Sequence, residues 1–339
     1  MRLFVVLFAL LLASPAAALQ IDRIGPKIPH PWGISFIAAD EVVVTARGGR
    51  MQRINITTGT AQEITGLPAV FARGQGGLLD VLADQGWLYF CYSRAVEGGA
   101  ATALMKARLD GTVLKEKTLL FTSNTPQRGS RHFGCRISIS GGMLYLSIGD
   151  RGNRDFSQDM TSHNGAVIRI APEDGAAEIF TKGHRNPQGM AIHPATGAIW
   201  VNEHGPKGGD EINILREGEN YGWPIVSHGR EYFGGTVGEG LTSAPGYADP
   251  VWVWVPSIAP SGMAFYEGDM FPEWQGDLLV ASLKFRSLYH VEIEVGLPVR
   301  ENVLLKGQIG RLRDVEIAPD GAVLLLSDEA GGGLYRLSR

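Results

Sequence analysis

A pattern that recurs six times constrains this chain most. Each copy has a small or polar turn, an apolar alternation, a second turn and a strongly apolar strand. The copies begin near Trp32, Gly77, Arg136, Gln188, Ser261 and Leu312. The irregular spacing of 45 to 73 residues is typical of four-stranded propeller blades with loop insertions. Two β-sandwiches are the alternative, but six units of one internal order favour an all-β, six-bladed β-propeller with four-stranded antiparallel blades.

The sixth copy runs out of sequence before its blade is complete. It ends at Leu334-Tyr335-Arg336-Leu337, which is only its third strand. We therefore predict that the segment from about Ile21 to Ile24 supplies the missing outer strand, which would close the ring and remove exposed sheet edges. No linker-like composition divides the repeats, so residues 19–339 are predicted to form a single domain.

The N-terminal residues have the pattern of a secretory signal. Met1-Arg2 is a short basic start, Leu3 to Leu12 are ten apolar residues, and Ala16-Ala17-Ala18 are small, which predicts a signal peptide over residues 1–18. The apolar run is too short to span a bilayer. The protein is therefore expected to be exported without stable membrane insertion, and its formal net charge of −4 argues against a nucleic-acid partner.

Only two cysteines, Cys91 and Cys135, occur in the chain. Export to an oxidising compartment permits a disulfide between them, but two cysteines do not make a disulfide framework. Two buried thiols and one bridge both remain open from the sequence.

Several familiar catalytic signatures are missing. The sequence has no Gly-x-Ser-x-Gly elbow, His-Glu-x-x-His, Walker loop or Rossmann fingerprint. Gly74-Gln75-Gly76-Gly77 is rich in glycine, but it leads into a predicted strand and not a helix. Nicotinamide, ATP and serine-hydrolase chemistry therefore lack support.

Polar residues instead stand at the ends of predicted blade strands, where propeller loops converge on the central channel. These residues are Gln75, His132, Arg185, Asn186, Ser257, Lys284, Arg311 and Arg313. Four of them are cationic and would repel one another around one pocket unless an anion were bound. This favours a polycarboxylate or phosphate ligand over the axis. Alternatively, they are solvated arginines that pair with acids such as Asp314.

Four motifs resemble those of the soluble aldose dehydrogenases that depend on pyrroloquinoline quinone (PQQ), the glucose/sorbosone dehydrogenase family. The motifs are Ser-Ile-Gly-Asp-Arg-Gly-Asn at 147–153, Gly-His-Arg-Asn-Pro-Gln-Gly at 183–189, Asn-Tyr-Gly-Trp-Pro at 220–224 and Arg-Leu-Arg-Asp-Val at 311–315. The match runs in order over essentially the whole mature chain. It implies a six-bladed propeller, and the compact chain is more similar to the periplasmic aldose sugar dehydrogenases than to the longer glucose dehydrogenases.

The resemblance also implies roles for individual residues. Contacts to PQQ are implied for Gln75, Arg185, Asn186, Tyr232, Ser257, Lys284, Arg311 and Arg313. The carbonyl oxygens of Gly205 and Pro206 match the pair that holds a calcium ion, and Ca²⁺ prefers hard oxygen ligands. Glu211 and Tyr221 match a further calcium site. His132 matches the general base, and Arg185 would stabilise negative charge together with calcium.

Two positions depart from the family pattern. Arg131 stands before His132 where some relatives have an acidic residue, so sugar specificity does not carry over. Cys135 stands where glycine is common in relatives. Residues 92–101 and 233–250 are interpreted as loops that shape the substrate pocket.

The resulting prediction is a PQQ- and Ca²⁺-dependent enzyme that oxidises the anomeric carbon of an aldose to the lactone. It would pass electrons to an external acceptor. Two alternatives from other classes remain: a calcium-dependent lactonase, which would need carboxylate and asparagine ligands on the axis, and a propeller that binds a sugar or a protein without catalysis.

Overall fold

Twenty-four strands form six antiparallel sheets of four in a computed structural model that describes residues 18–339. The predicted signal peptide lies, apart from its last residue, outside the described residues. The strands are β1 (Gln20–Ile24), β2 (Pro31–Ala38), β3 (Glu41–Ala46), β4 (Arg50–Asn55), β5 (Ala61–Glu63), β6 (Leu78–Asp84), β7 (Trp87–Val96), β8 (Gly99–Asp110), β9 (Val113–Thr122), β10 (Ile137–Ser140), β11 (Met143–Ile148), β12 (Ala166–Ile170), β13 (Ala177–Lys182), β14 (Pro187–Ile192), β15 (Ile199–Glu203), β16 (Asp210–Ile214), β17 (Trp252–Trp254), β18 (Pro260–Phe265), β19 (Leu278–Ser282), β20 (Ser287–Glu294), β21 (Leu297–Leu304), β22 (Leu312–Ile317), β23 (Val323–Ser327) and β24 (Gly333–Ser338).

The sheets are the blades of a six-bladed β-propeller, as predicted. Blades 1 to 5 are β2–β5, β6–β9, β10–β13, β14–β17 and β18–β21, and blade 6 is β22–β24 with β1. The first strands of neighbouring blades contact one another around the ring, including β22 with β2. The second strands are almost wholly apolar, and each is buried between neighbouring sheets, as in Val323–Ser327. The described residues contain two short 3-10 turns, at Arg154–Ser157 and Pro272–Trp274, and no helix long and apolar enough to cross a membrane.

The ring closes through the N-terminal strand, which confirms the predicted closure. β1 pairs antiparallel with β24 over five residues, from Gln20 opposite Ser338 to Ile24 opposite Leu334. Ile24 is buried among the apolar residues between blades 6 and 1. Without β1, the outer edge of β24 would be exposed.

Deletion of residues 19–26 should therefore destabilise the whole ring. The loss of buried Ile24 and partly buried Ile21, together with the strand hydrogen bonds, should cost roughly 3–5 kcal/mol. The melting temperature should fall by at least about 5 °C in thermal unfolding. A matched chain that begins at Gln20 should melt like the chain that begins at Leu19, because Leu19 lies before the strand. Equal melting of the deleted and matched chains would rule out closure by β1.

The segment 92–101 is not a loop, which corrects one prediction. β7 and β8 pair continuously through it, from Tyr92 opposite Ala103 to Val96 opposite Gly99, and only residues 97–98 form the turn. Ala100 and Ala101 are buried, because their small side chains let β8 pack closely under the neighbouring connection. The segment 233–250 does lie in a long connection, residues 215–251, between the third and fourth strands of blade 4.

The two ends of the propeller differ in charge. We call the end formed by the connections between blades and between second and third strands the site face. Its charged residues are the basic Lys27, Arg47, Arg73, Arg128, Arg131, Arg136, Arg151, Arg154, Arg185, Lys207, Lys284, Arg286, Lys306 and Arg311, and the acidic Glu97, Asp150, Asp155, Asp159, Asp328 and Glu329. Leaving aside the connection 215–251, the turns described at the opposite face contain no lysine or arginine and eight acids. These acids are Asp40, Glu173, Asp174, Glu267, Asp269, Glu273, Asp277 and Asp320.

Candidate active site

A cavity of about 590 Å³ opens on the site face between blades 2 and 5. The predicted site residues that line it are Gln75, His132, Arg185, Asn186, Gly205, Pro206, Tyr232, Ser257 and Lys284. They come from the connections of four blades and from the long connection of blade 4. The structure thus brings nine separately predicted residues to one cavity.

A second cavity of about 160 Å³ lies next to the first and toward the axis, and it shares Gln75 and Asn186 with it. Arg311 and Arg313, the remaining predicted cations, line this second cavity. The two cavities together therefore contain all four predicted cations. Glu211 and Tyr221 lie elsewhere, at a small cavity that shares Arg185 and Gly205 with the first.

Bulges at the site-face end of the inner strands help to aim these residues. The register between first and second strands shifts in five blades, for example between Pro187 and Gly189 in blade 4 and between Leu312 and Asp314 in blade 6. A bulge bends a strand and redirects its side chains, and bulges are common next to active sites. The shift in blade 4 immediately follows Arg185 and Asn186.

His132 is held in one orientation by its neighbours. Its backbone N–H donates to Gln75 Oε1 at 2.7 Å, and its Nδ1 lies 2.6 Å from Asp150 Oδ1. Because a carboxylate accepts hydrogen bonds, Nδ1 carries the proton and Nε2 of the neutral ring is left as the proton acceptor. His132 has a positive φ of 52°, which turns the chain sharply at this point.

Asp150 is fixed in turn by two further donors. Its Oδ1 accepts from the backbone N–H of Gly152 at 2.7 Å, and its Oδ2 accepts from Trp223 Nε1 at 2.9 Å. The sequence prediction missed the roles of Asp150 and Trp223, although both lie inside motifs that carried the resemblance. Their contact could not be predicted, because the two residues are 73 positions apart in the chain.

Burial and the contact between His132 and Asp150 determine how the two side chains are protonated. Burial lowers the pKa of His132, and the hydrogen bond and charge of Asp150 only partly offset that effect. Burial acts to raise the pKa of Asp150, but the contact with His132, the hydrogen bond from Gly152 and the charge of Arg185 together lower that pKa overall. The pair therefore consists of a neutral imidazole and a carboxylate at neutral pH, which is the state that a general base requires.

Arg185 ties the connection before blade 4 to the loop after its second strand. Its backbone N–H donates to Glu203 Oε2 at 2.6 Å, and its Nη1 donates to the carbonyl of Gly205 at 2.9 Å. The guanidinium carbon lies 5.3 Å from the centroid of the Trp223 ring. His184 also contacts Glu203, through Nδ1 at 2.8 Å, and is wholly buried, so it supports this arrangement from within the fold.

Asp210, which the sequence analysis did not single out, shapes the loop that carries Gly205 and Pro206. Its Oδ1 accepts from the Gly205 N–H at 2.9 Å, and its Oδ2 accepts from Ala259 N–H at 2.7 Å. The Ser257 hydroxyl also donates to Oδ2. Ser257 therefore lines the cavity while its hydroxyl proton is directed into the fold.

Arg313 is buried and paired with an acid, as the alternative interpretation of the four cations proposed, although its partner is not Asp314. Its Nη2 lies 2.6 Å from Asp328 Oδ2, and its Nη1 donates to Gln188 Oε1 at 2.9 Å, while its buried Nε has no partner in the described part of the chain. Asp314, the acid considered as an alternative partner, instead lies 2.8 Å from Arg136. Lys284 and Arg311 contact no carboxylate at ion-pair distance within residues 18–339, and both are exposed.

A cavity of about 20 Å³, enough for one water or ion, lies beside Glu203, Glu211 and Tyr221. Burial and the nearby Glu203 raise the pKa of Glu211 to about 8, so Glu211 holds a proton at neutral pH unless a cation lies beside it. The Tyr221 hydroxyl donates to the carbonyl of Ile214 at 2.7 Å, which leaves its backbone carbonyl as the available oxygen. Residues 18–339 contain no group of three or more His, Cys, Asp or Glu side chains arranged to hold a metal. The donors are one or two carboxylates and carbonyls, which are ligands of the class that Ca²⁺ takes.

Of the two possibilities left open for the cysteines, the structure has the disulfide. Cys91 in β7 and Cys135 just before β10 are joined, and both are fully buried. The bridge links blade 2 to the segment that carries His132. Cys135 is not among the residues that line the two cavities.

Lys182 is a further residue that the sequence analysis missed. Its buried ammonium donates to the carbonyls of Phe156, Ser162 and Asn164 at 2.7–3.0 Å. Burial lowers its pKa to about 8. These contacts anchor the connection 149–165, which also carries Asp150, to the last strand of blade 3.

Comparisons with known proteins agree with this geometry. The family model "Glucose / Sorbosone dehydrogenase" matches residues 28–336. The aldose sugar dehydrogenase YliI of Escherichia coli is 35% identical over 96% of this chain and 94% of its own length. The solved apo-form of the soluble aldose sugar dehydrogenase from Escherichia coli has a TM-score of 0.88 at 33% identity, over 95% of this chain and 99% of its own.

A structure of an aldose sugar dehydrogenase from Streptomyces coelicolor, solved in its PQQ-bound form, has a TM-score of 0.78 at 25% identity. It covers 96% of this chain and 99% of its own. The family match spans nearly the whole described chain, including five complete blades, the sixth apart from β1 and the end of β24, and every residue of the site. The chain therefore belongs to the glucose/sorbosone dehydrogenase family, whose members are sugar oxidoreductases.

Proposed function

We propose that this protein is a periplasmic, PQQ- and Ca²⁺-dependent aldose dehydrogenase that oxidises the anomeric carbon of a sugar to the lactone. One observation carries the proposal. The neutral base His132, oriented by Asp150, lines the same cavity as Arg185 and Lys284, next to a second cavity lined by Arg311 and Arg313. A proton acceptor and a group of cations beside one cavity suit the oxidation of a hydroxyl by an anionic cofactor.

The residues present fit a polycarboxylate cofactor. Lys284 and Arg311 lack carboxylate partners, and Arg313 keeps one buried N–H without an acceptor. Buried donors are normally satisfied, so this arrangement supports an anionic ligand. Gln75, Arg185, Asn186, Tyr232, Ser257, Lys284, Arg311 and Arg313 would hold PQQ, which supplies the two-electron acceptor when it is bound.

Calcium would use two sets of oxygens. Gly205 and Pro206 line the large cavity in a loop that Asp210 holds in shape, and the Gly205 carbonyl accepts a hydrogen bond from Arg185 Nη1. Glu211 and the Tyr221 carbonyl would form the further site, where a bound cation would favour the carboxylate form of Glu211. The ions would provide positive charge beside the cofactor and brace blade 4.

The protein's own residues would control the proton. His132 Nε2 accepts the proton of the anomeric hydroxyl as the anomeric C–H bond loses its hydrogen with both electrons, so the carbon becomes the carbonyl carbon of the lactone. Asp150 stabilises the imidazolium that results, and Trp223 keeps Asp150 from rotating. Arg185 contributes positive charge to the cavity from a position fixed by Glu203 and Gly205.

Other features support export and disfavour hydrolysis. The signal-like start and the disulfide both suit an oxidising compartment. A lactonase would need free carboxylates on the axis, but Asp80 and Asp314 are both engaged by Arg136. A propeller that only binds a sugar would not need the His132–Asp150 pair.

Reconstitution tests the proposal. Protein incubated with PQQ and Ca²⁺ should bind PQQ at micromolar concentration or below, shift the quinone absorbance and reduce a redox dye when an aldose is added. Protein treated with a chelator and given PQQ without Ca²⁺ serves as the control and should show little dye reduction. Failure to bind PQQ would exclude the cofactor assignment. Bound PQQ without turnover on a broad panel of aldoses would exclude the activity.

A further inference from the structure

Several cations on the site face are exposed and have no acid partner. Arg128 and Arg286 in its connections, and Arg230 where the connection 215–251 bridges to Lys207, are exposed, and no carboxylate lies within ion-pair distance of them in residues 18–339. The connection 215–251 also contains Glu231, which pairs with Arg154, and the exposed Glu239. Arginines on the outer strands behave differently, since Arg169 and Arg300 each pair with glutamates. The chain as a whole has a net charge of −4, so the site face carries positive charge on an acidic protein.

Two cations, Lys207 and Arg230, lie opposite each other on paired backbone segments. Lys207 and Arg230 form an antiparallel bridge in which each backbone N–H donates to the other's carbonyl, at 3.1 and 3.2 Å. Like charges directly opposite on paired strands reduce stability. Folding alone gives no reason for this arrangement, whereas an anionic partner over the pair would remove the repulsion.

Exposed apolar side chains accompany the cations. Phe233 is fully exposed, and Tyr232 beside it and Val255 are 60% and 68% exposed. Tyr232 and Val255 also line the opening of the large cavity. Exposed aromatic residues ringed by charge are typical of a protein interface and not of a surface that only attracts small ions.

We propose that the site face docks a small acidic electron-carrier protein through the apolar Phe233 and Val255 and the cations Arg128, Lys207, Arg230 and Arg286. Only the partner's role as electron acceptor rests on the proposed function. The oxidation of one sugar releases two electrons and two protons, so two molecules of a one-electron haem carrier would be reduced in turn, and the protons would pass to solvent. The partner would meet the enzyme where the cavity opens, and opposite charge would speed the encounter.

Binding can be tested without cofactor or sugar. The probes are cytochrome c, which is strongly basic, and the same cytochrome after succinylation of its lysines, which makes it acidic. The succinylated form should bind with a Kd of roughly micromolar at low salt and at least about tenfold more weakly near 0.2 M salt, whereas the native form should not bind.

Charge reversal on the surface should abolish the difference. Arg128→Glu with Arg230→Glu should weaken binding of the succinylated cytochrome by about tenfold or more. Lys115→Glu with Lys117→Glu is the matched control. It makes the same change in net charge on exposed residues of β9, near the face opposite the site face. The control should alter the affinity by less than about twofold. Phe233→Ser should also weaken binding without lowering the melting temperature.

Equal affinity for both cytochromes, or equal losses in the test and control variants, would overturn the docking surface. A second arm uses reconstituted protein, an aldose and a neutral dye. Dye reduction without reduction of the succinylated cytochrome would overturn the electron-transfer role while the proposed activity stands. Without dye reduction the proposed activity fails, and the binding comparison still decides whether the surface exists.

Discussion

Replacing His132 with alanine should lower sugar turnover by about 10²–10⁴-fold, because the variant loses the imidazole that would take the hydroxyl proton. The affinity for PQQ should change little, since the cations that would hold it are untouched. Steady-state dye reduction and a PQQ titration measure the two effects. His228→Ala is the control, as His228 lies outside both cavities. A loss of only a few-fold in turnover would show that the base is a different residue.

A second variant tests whether Asp150 acts on the protonation of His132 or only supports the local structure. Asp150→Asn removes the charge that raises the pKa of His132, so that pKa should fall further below its usual 6.5. A base works unprotonated, so the acidic limb of the kcat/KM profile should move to lower pH while the rate falls by about tenfold or more. A purely structural role for Asp150 would lower the rate without moving the limb.

Replacing Arg136 with methionine should be the most destabilising single change, at about 3–5 kcal/mol near neutral pH. Arg136 is buried near the axis, 3.0 Å from Asp80 and 2.8 Å from Asp314, and it also donates to the carbonyls of Gln188 and Arg313. Without it, two buried carboxylates would face each other unpaired. Denaturant unfolding gives the free energy, and Arg300→Met, which breaks an exposed pair with Glu292, should leave the midpoint unchanged.

The cost of the Arg136 change should depend on pH. Burial and Asp314 raise the pKa of Asp80 to about 7 even though Arg136 counteracts them. A carboxyl with a raised pKa binds protons more readily in the folded protein than in the unfolded chain, so its contribution to stability increases as pH falls from about 7 toward 4. Without Arg136, which lowers this pKa, the pKa of Asp80 should be higher still, so the variant should gain more stability than the parent protein as pH falls. The two proteins should therefore be closer in stability at pH 5 than at pH 8. An equal difference at both pH values would contradict this account.

The blade order could be predicted from the sequence because each repeat carries its own local signal. Gly197 and Gly321, for example, take positive φ values in turns between a first and a second strand, a conformation that favours glycine. Closure was predictable too, because the sixth repeat lacks a fourth strand and the segment before the first repeat belongs to no other blade. The hairpin at 92–101 was mistaken for a loop because its buried alanines lack the apolar alternation of the other strands.

The site could be predicted only in its outline. Strand ends are visible in a sequence, so the residues around the cavity could be collected before their geometry was known. The contacts that orient them could not, because Asp150 with Trp223 and Arg313 with Gln188 join residues far apart in the chain. The pairing of Arg313 with Asp328 could not be predicted for a different reason. Asp314 and Asp328 are both close to Arg313 in the sequence, and the sequence does not tell which of them is the partner.

The bridge between Cys91 and Cys135 limits the conditions under which the protein can be produced. It encloses a 44-residue segment, and a cross-link of that span restricts the unfolded chain by an amount worth about 4 kcal/mol in the chain-entropy model. Recombinant material made in a reducing cytosol would lack this contribution, and the turn that presents His132 would be the first part to loosen. Preparations of the protein should therefore be folded under oxidising conditions and checked for free thiols before any activity is compared.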